Sequence, residues 1–264
     1  MGKLLSFLNS AADALTAKRP TSALILAAGS GERFSDGGTV KKQFFPVGGV
    51  PAVLRSALAF DGCDDVTEII VATGEDDVEE CRSILDGKLT KKLTVVPGGA
   101  TRRESAAAAL KAVDPESKYI AVHDAARCLV TEELIGKVLL EAVRHGAAAA
   151  AEKATDTLKR SDSSGLIAET LDRESVWMVK TPQIFLANMY RAGMYTAIKD
   201  GAEVTDDCML VERLGFKVKL VECGRENIKI TYPADAVIAE AILKDREKRA
   251  APAREKSDKE NGRK

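Results

Sequence analysis

The side chains that commonly act as nucleophiles or bind metals are scarce in this sequence. It contains two histidines among 264 residues, and its five cysteines are odd in number and widely spaced, without a C-x-x-C pair. That spacing argues against a disulfide framework and a zinc site, and it is typical of a reducing compartment, so we expect a cytoplasmic protein. No apolar run approaches the roughly 20 residues that a membrane-spanning helix needs, so no membrane partner is predicted.

An excess of charge of one sign is also missing. The chain has 39 lysines and arginines against 40 aspartates and glutamates, for a net charge of −1. Lys244–Lys264 holds nine basic and five acidic residues, which leaves a mildly acidic body without a basic face, and a nucleic-acid partner is not expected. This last segment has no Val, Ile, Leu, Met or aromatic residue to bury. We therefore predict a charged, disordered tail at 246–264.

Short apolar runs alternate with helical patterns along the rest of the chain. The predicted strands lie at 23–28, 68–73, 93–97, 119–123, 147–152 and 217–222. The predicted helices lie near 51–60, 76–87, 103–113, 131–145 and 187–199. Strands that are almost entirely apolar are covered on both faces, which predicts an α/β fold with a mostly parallel sheet flanked by helices. We expect one such domain at 21–245, after an N-terminal extension at 1–20.

The segment Thr155–Arg173 interrupts this alternation. Two short runs with partial polar and apolar alternation flank the turn sequence SDSSG, which predicts a β-hairpin arm at about 153–174. An isolated hairpin is marginally stable in water. We therefore expect the arm to pack on another surface, most simply its own copy in a homodimer.

The segment Leu24–Phe45 places a turn of small residues, Ala27–Gly31, directly after an apolar strand. It is not a dinucleotide fingerprint, because Phe34 occupies the position of the third glycine, and no lysine follows Gly31 as a P-loop requires. Small side chains let backbone N–H groups approach an anion, and Arg33 and Lys42 add positive charge. Considered by itself, this loop could also be an ordinary strand-to-helix turn whose basic residues face solvent instead of an anion.

Other loops that follow predicted strands also carry polar side chains. Asp124 ends one strand, where it could hold a hydroxyl group or a magnesium ion, or simply cap the loop. Its neighbour His123 is expected to be a hydrogen-bonded structural residue. The segment PGGATRRES places Arg102 at the start of a helix, where it could help to bind an anion or a base. The alternative is that its arginines are simply exposed to solvent. Lys229 is expected near the end of a late strand. The acids of TDD, 205–207, are expected to cap a helix.

Eight motifs along the chain carry a resemblance to a known family. They are AAGSGERF, KKQFFPVGGVPAVLRSAL, GGATRRESAAAAL, VHDAARCLV, DTLKR, DRESVWMVKTPQIF, VTDDCMLVERLGF and ENIKITYPAD. With these motifs in this order, the chain resembles the 2-C-methyl-D-erythritol 4-phosphate cytidylyltransferases of the non-mevalonate isoprenoid pathway, from about Thr21 to Leu243. The resemblance implies a Rossmann-like α/β fold, with a projecting β-hairpin arm that crosses to the other subunit of a homodimer.

The resemblance also implies an activity. A phosphate oxygen of methylerythritol phosphate attacks the α-phosphorus of CTP in line, and pyrophosphate leaves. Such chemistry needs positioning and charge neutralisation rather than a protein nucleophile. Magnesium or another divalent cation is the implied cofactor, held mostly by phosphate and water, with Asp124 as the one protein carboxylate considered for it.

The family comparison assigns residues to roles. The implied catalytic residues are Arg33, Lys42, Arg173 and Lys229. The implied nucleotide-binding residues are Ala27, Ala28, Gly29, Ser30, Gly31, Gly98, Arg102, Ser105, Asp124 and Ala125. The implied substrate-binding residues are Thr157, Arg127, Asp124 and Thr181, of which Thr157 would reach the partner's substrate.

One departure affects the catalytic set. Lys41 stands where the family usually has proline, so two adjacent lysines compete for the triphosphate, and we favour Lys42 because it precedes Gln43. Two other functions stay open at this stage. One is a ribitol 5-phosphate cytidylyltransferase, which shares the architecture, and the other is a nucleotide-binding regulator without catalysis.

Overall fold

The fold is built on a seven-stranded sheet. The computed structural model describes residues 18–29, 31, 34 and 41–261, with side chains up to residue 250. Its sheet has the order β11-β7-β10-β6-β1-β4-β5, in which only β10 runs antiparallel to its neighbours. The strands of this sheet are β1 (Thr21–Ala27), β4 (Val66–Thr73), β5 (Lys92–Pro97), β6 (Tyr119–Asp124), β7 (Ala147–Lys153), β10 (Trp177–Leu186) and β11 (Lys219–Glu222). The mostly parallel α/β sheet predicted from the sequence is thereby confirmed.

Helices cover both faces of this sheet. They are α1 (Ala52–Asp61), α2 (Val78–Leu85), α3 (Arg102–Leu110), α4 (Glu132–His145), α5 (Ala187–Lys199), α6 (Cys208–Glu212) and α7 (Pro233–Asn261). Successive strand residues alternate between two hydrophobic cores, as a pleated strand requires. Ile25 packs with α1, α2 and α4, whereas Leu24 packs with α3, α5 and α6. The two cores therefore lie on opposite faces of the sheet.

Local signals explain where several helices begin. The Thr131 hydroxyl accepts a hydrogen bond from the backbone N–H of Leu134, as expected of the N-cap of α4. Thr101 and Glu104 form a reciprocal capping box at the start of α3. This cap fixes the direction in which α3 leaves the loop that follows β5.

The arm is a two-stranded antiparallel hairpin, as the sequence predicts. It consists of β8 (Lys159–Ser161) and β9 (Ile167–Thr170), which pair only with each other. Every residue of both strands is exposed. A second small hairpin, β2 (Pro46–Val47) with β3 (Val50–Pro51), leads into α1.

Three expectations about secondary structure are corrected. No strand of the sheet was predicted between residues 153 and 217, where the structure has β10, the longest strand of the sheet. The segment around Lys229 belongs to no strand, where the sequence predicted one. Helix α7 continues to Asn261, where a disordered tail was predicted from residue 246 onward; lysine, arginine, glutamate and alanine are strong helix formers, and this propensity prevails.

No helix among the described residues combines the length and the apolar composition needed to cross a bilayer.

Candidate active site

A cavity of about 520 Å³ opens at the carboxyl edge of the parallel strands. The strands β1, β5 and β6 run in the same direction, so the loops that follow them meet at this edge, where α/β sheets commonly bind ligands. The cavity is lined by Leu26, Ala27, Ala28, Gly29, Lys42, Gln43, Gly99, Ala100, Thr101, Arg102, Ser105, Asp124, Ala125, Ala126 and Lys229. Its volume suits a ligand the size of a nucleotide.

Small residues let two of these loops come close together. A Cβ atom on Gly98 would lie 2.7 Å from the Cβ of Ala28 and 2.8 Å from the Oγ of Ser105. Only glycine allows this approach of the loops after β1 and β5. The Ser105 hydroxyl accepts a hydrogen bond from the Gly99 N–H at 3.1 Å and lies 3.0 Å from the carbonyl oxygen of Thr101. That pairing orders the loop at the cavity wall.

Three cations surround the carboxylate of Asp124 at the end of β6. The Lys229 ammonium lies 2.8 Å from Oδ2, the Nε of Arg102 lies 3.4 Å from Oδ1, and the Nε of Arg127 lies 3.7 Å from Oδ2. Burial alone would raise the pKa of the Asp124 carboxyl, but the charges of Arg102, Lys229 and Arg127 outweigh burial and hold this pKa well below its usual range. Asp124 is therefore a permanent anion that fixes the positions of these cations.

Arg102 is held from its other side by Asp207, a residue that the sequence interpretation assigned to helix capping. Asp207 is buried, forms an ion pair with Arg102, and accepts a hydrogen bond from the Tyr190 hydroxyl at 2.6 Å. The capping role belongs to Asp206, whose Oδ1 accepts from the Met209 N–H. Two adjacent acids before a short helix look alike in the sequence, so no local signal separates these roles.

His123 and Thr181 form a buried hydrogen-bond chain behind Asp124. The His123 Nε2 must donate to the Arg127 carbonyl oxygen at 3.3 Å, because a carbonyl can only accept. In the neutral ring Nδ1 then accepts from the Thr181 hydroxyl at 3.1 Å, and that hydroxyl accepts from the Asp124 N–H at 3.0 Å. Burial lowers the pKa of His123 to about 3, so the ring is neutral near pH 7. His123 is thus a structural residue, as expected.

The two adjacent lysines point to different places. Lys41 forms an ion pair with both carboxylate oxygens of Asp77, at 2.7 and 2.8 Å. Lys42 lines the cavity, and its ammonium would lie 3.8 Å from a Cβ placed on Gly29. Of the pair, Lys42 is the one located at the small-residue turn.

The structure brings only part of the predicted set to the cavity. Among the described residues, Lys42, Lys229 and most of the predicted nucleotide-binding residues line it, whereas Gly31 and Gly98 do not. Arg127 and Thr181 lie behind Asp124 and contact it rather than the cavity. Ser30 and Arg33 fall outside the described residues. Lining residues that the sequence interpretation missed are Leu26, Gln43, Gly99, Ala100, Thr101 and Ala126.

Two predicted residues lie on the arm side of the molecule. Thr157 and Arg173 are both exposed, and neither lines the cavity of its own chain. Arg173 lies in a short 3-10 turn after β9, where its Nη1 donates to the Thr155 carbonyl oxygen at 3.4 Å. One chain therefore does not collect all of the predicted cations around the cavity.

The lining residues are suited to binding an anion. Those that the structure describes include three cations and no histidine or cysteine. Within the described part of the chain, no group of three or more His, Cys, Asp or Glu side chains is placed to hold a metal ion. Asp124 is the only carboxylate among the described lining residues, and three cations already surround it. A cation at this site would therefore depend on ligand oxygens for most of its coordination.

Comparison with known proteins gives one consistent result. A family profile described as "2-C-methyl-D-erythritol 4-phosphate cytidylyltransferase" matches residues 21–245. A curated protein with this name from Symbiobacterium thermophilum is 41% identical over 226 residues, which cover 86% of this chain and 94% of the relative. The homologue from Caldanaerobacter subterraneus subsp. tengcongensis is 38% identical over 225 residues, covering 84% and 98%.

Solved structures agree with the sequence comparison. The crystal structure of 4-diphosphocytidyl-2C-methyl-D-erythritol synthase from Anaerococcus prevotii superposes with a TM-score of 0.76 at 31% identity, covering 86% of this chain and all of that one. The 2-C-methyl-D-erythritol 4-phosphate cytidylyltransferase from Thermus thermophilus superposes with a TM-score of 0.69 at 32% identity, covering 85% and 99%.

Proposed function

Because the chain belongs to the 2-C-methyl-D-erythritol 4-phosphate cytidylyltransferase family, we propose that it transfers a cytidylyl group from CTP to 2-C-methyl-D-erythritol 4-phosphate. The products are 4-diphosphocytidyl-2-C-methyl-D-erythritol and pyrophosphate. The observation that carries this proposal is the convergence of Lys42, Lys229 and Arg102 on one cavity built from small residues.

The reaction needs no covalent bond between the protein and a substrate. A phosphate monoester is largely dianionic near pH 7, so its oxygen can attack the α-phosphorus of CTP without a general base. The bond from the α-phosphorus to the bridging oxygen breaks, and pyrophosphate carries away the electron pair. What the site must supply is alignment of two anions and neutralisation of charge as the bond breaks. A cavity whose described lining residues include three cations and neither histidine nor cysteine meets that requirement.

Each cation has a role in this scheme. Lys42, next to Gly29, binds the triphosphate and stabilises the charge that develops on it, together with Arg33. Lys229, held at 2.8 Å by Asp124, binds the phosphate of the acceptor. Arg102 and Ser105, which line the cavity, would lie beside cytosine together with Gly98.

In this proposal magnesium binds together with the nucleotide. It would reduce the charge of the triphosphate oxygens, and those oxygens with water would supply most of its ligands. Among the described lining residues Asp124 alone has a carboxylate, and the charges of Arg102, Lys229 and Arg127 already balance it.

We also propose a homodimer in which the arm completes the partner's site. The arm exposes apolar side chains that water disfavours, with Leu166 68% and Ile167 67% exposed. Thr157 and Arg173 belong to the same projecting segment, and Arg173 would bind the acceptor phosphate of the partner. The double change Leu166→Ser and Ile167→Ser should shift the protein to monomers by light scattering, whereas a persistent dimer would exclude this interface.

A cytoplasmic location is part of the proposal, and five unpaired cysteines support it.

A direct assay separates the candidate functions. Purified protein with CTP and magnesium should release pyrophosphate on addition of 2-C-methyl-D-erythritol 4-phosphate. Preferential turnover of ribitol 5-phosphate would establish the alternative acceptor instead. If neither acceptor leads to release of pyrophosphate but CTP binds tightly, the result would favour a regulator without catalysis.

A further inference from the structure

Gln43 is a buried residue whose side chain has no hydrogen-bond partner among the described residues. It is 2% exposed, it lines the cavity beside Lys42, and neither Oε1 nor Nε2 is satisfied. Its backbone is well fixed, since its carbonyl oxygen accepts from the Val53 N–H at the start of α1 at 2.9 Å. The amide is therefore held at the cavity wall with its hydrogen-bonding capacity unused.

A second glutamine shows how unusual this is. Gln183 on β10 is equally buried, but its Nε2 donates to an Asp206 oxygen at 3.1 Å and its Oε1 accepts from the Asp207 N–H at 3.1 Å. Buried polar groups in folded proteins are nearly always paired, because leaving them unpaired costs folding free energy. An amide that is left unpaired at the wall of a binding cavity is explained if a ligand completes it.

The chemistry of an amide narrows the ligand group. Its two N–H groups donate and its oxygen accepts, so it needs a partner that can do both. An ionised phosphate oxygen only accepts, and cations already face the cavity for that purpose. A hydroxyl group donates and accepts at once, so it can pair with either end of the amide.

The position of Gln43 indicates which substrate carries that hydroxyl. Phe44, its neighbour, packs into the core shared with α1, whereas α3, which carries Arg102 and Ser105, packs on the opposite face. Ile230, next to Lys229, packs with Val47 and Ala52 on the α1 side. Gln43 therefore lies on the α1 side of the cavity, as does the segment that carries Lys229, the cation assigned above to the acceptor.

We propose that Gln43 is a specificity-determining residue whose side-chain amide binds a hydroxyl group of the polyol phosphate acceptor. This inference rests on the proposed function, because it needs an acceptor that carries hydroxyl groups. The apolar change Gln43→Met keeps the length of the side chain but removes both hydrogen bonds. It should raise the KM for the acceptor about tenfold or more, the size expected for one lost hydrogen-bonded contact. The dissociation constant for CTP should stay at the wild-type value.

Thermal unfolding of the ligand-free protein supplies the structural control. Gln43→Met should unfold at or above the wild-type temperature, since it removes polar groups that have no partner. Gln183→Met is the matched variant and should unfold lower, because it leaves the Asp207 N–H unpaired. Gln43→Leu provides a second apolar variant with the same expectation.

Four outcomes would overturn the inference. Loss of stability in Gln43→Met comparable with that in Gln183→Met would mean that the amide has a structural partner. A weaker CTP affinity with unchanged acceptor KM would place the partner of the amide on CTP. An unchanged acceptor KM in a wild-type-like enzyme would overturn the inference alone, whereas wild-type protein that releases no pyrophosphate would overturn the proposed function and the inference with it.

Discussion

The Asp124 cluster and the arm are opposite in character. Asp124, Asp207, Arg102, Arg127 and Lys229 form a continuous network of ion pairs at the edge of the sheet, and its members restrain one another. The arm is a two-stranded hairpin with every strand residue exposed. One part of the predicted site is therefore preorganised within the chain, whereas the other part presents its side chains to the outside.

The charge of the cluster has a direct consequence for binding. Its three cations exceed its two carboxylates by one charge. The carboxylates fix where the cations lie, and two of these cations, Arg102 and Lys229, line the open cavity, where their positive charge attracts anionic ligands. Preorganised charge of this kind does not have to rearrange as the reaction proceeds. The described residues of the arm form isolated ion pairs instead, such as that of Arg160 with Glu169.

The largest effect should come from removing a cation of the cavity. Lys42→Met should lower the turnover number about 10²- to 10³-fold, because it deletes a group that stabilises developing charge. The matched control is Lys41→Met, whose side chain pairs with Asp77 away from the cavity. Steady-state pyrophosphate release measures both variants. Equal losses in the two would show that the lysines share one role and would remove the distinction drawn between them.

A smaller effect, on stability, should come from loosening the anchor of Arg102. Asp207→Asn leaves the Arg102 charge without its buried partner and should lower the free energy of unfolding by about 3 kcal/mol. Asp206→Asn is the matched control, since Asp206 is half-buried and accepts from two neutral donors, the Met209 N–H and the Gln183 amide; losing one of these hydrogen bonds should cost about 1 kcal/mol. Urea unfolding gives both values. A larger loss for Asp206→Asn would contradict the assignment of the two roles.

The smallest effect should be a change in pH dependence. The pKa of His123 is lowered from 6.5 to about 3 by burial, so between these values the unfolded chain binds one more proton than the folded chain. The unfolding free energy should therefore fall as the pH falls, by at most about 1.4 kcal/mol per pH unit from this residue. His123→Gln should reduce the slope measured by urea unfolding between about pH 7 and about pH 5.

Urea unfolding of the wild-type protein and of His123→Gln at about pH 7 and about pH 5 gives the two slopes. An unchanged slope in His123→Gln would show that the proton uptake does not come from the ring behind Asp124.

Strands and helices with simple patterns were predictable from the sequence, and β10 shows why others were not. Its centre contains Lys180, Thr181, Pro182 and Gln183, and a polar run with proline argues against a central strand. In the structure the polar side chains are buried and paired: Lys180 with Glu152, Thr181 with His123, and Gln183 with Asp206. The pairing of β10 with β7 shifts register across this stretch. Partners distant in sequence thus make the strand possible.

The position of a site residue could be predicted where the residue directly follows a strand. It could not be predicted where contacts with residues distant in sequence determine where the side chain lies. Asp124 and Ala27 end their strands and reach the cavity as expected. Lys229 also reaches it, although its segment is anchored by a backbone bond from Ile230 to the Ala126 carbonyl oxygen rather than by a strand ladder. The unpaired state of Gln43 and the ion pair of Lys41 depend on neighbours that no local pattern reveals.

Mixing two inactive variants tests most directly whether the self-contained cluster and the projecting arm complete each other between subunits. Arg173→Ala lacks the arm cation, and Lys229→Met lacks the cavity cation. In a mixed dimer the cavity of the Arg173→Ala subunit meets an intact arm, so one of its two sites is whole. After unfolding, equal mixing and refolding, half of the dimers should be mixed, and pyrophosphate release should recover to about one quarter of the wild-type rate. No recovery above the separate variants, with mixed dimers verified, would contradict the account.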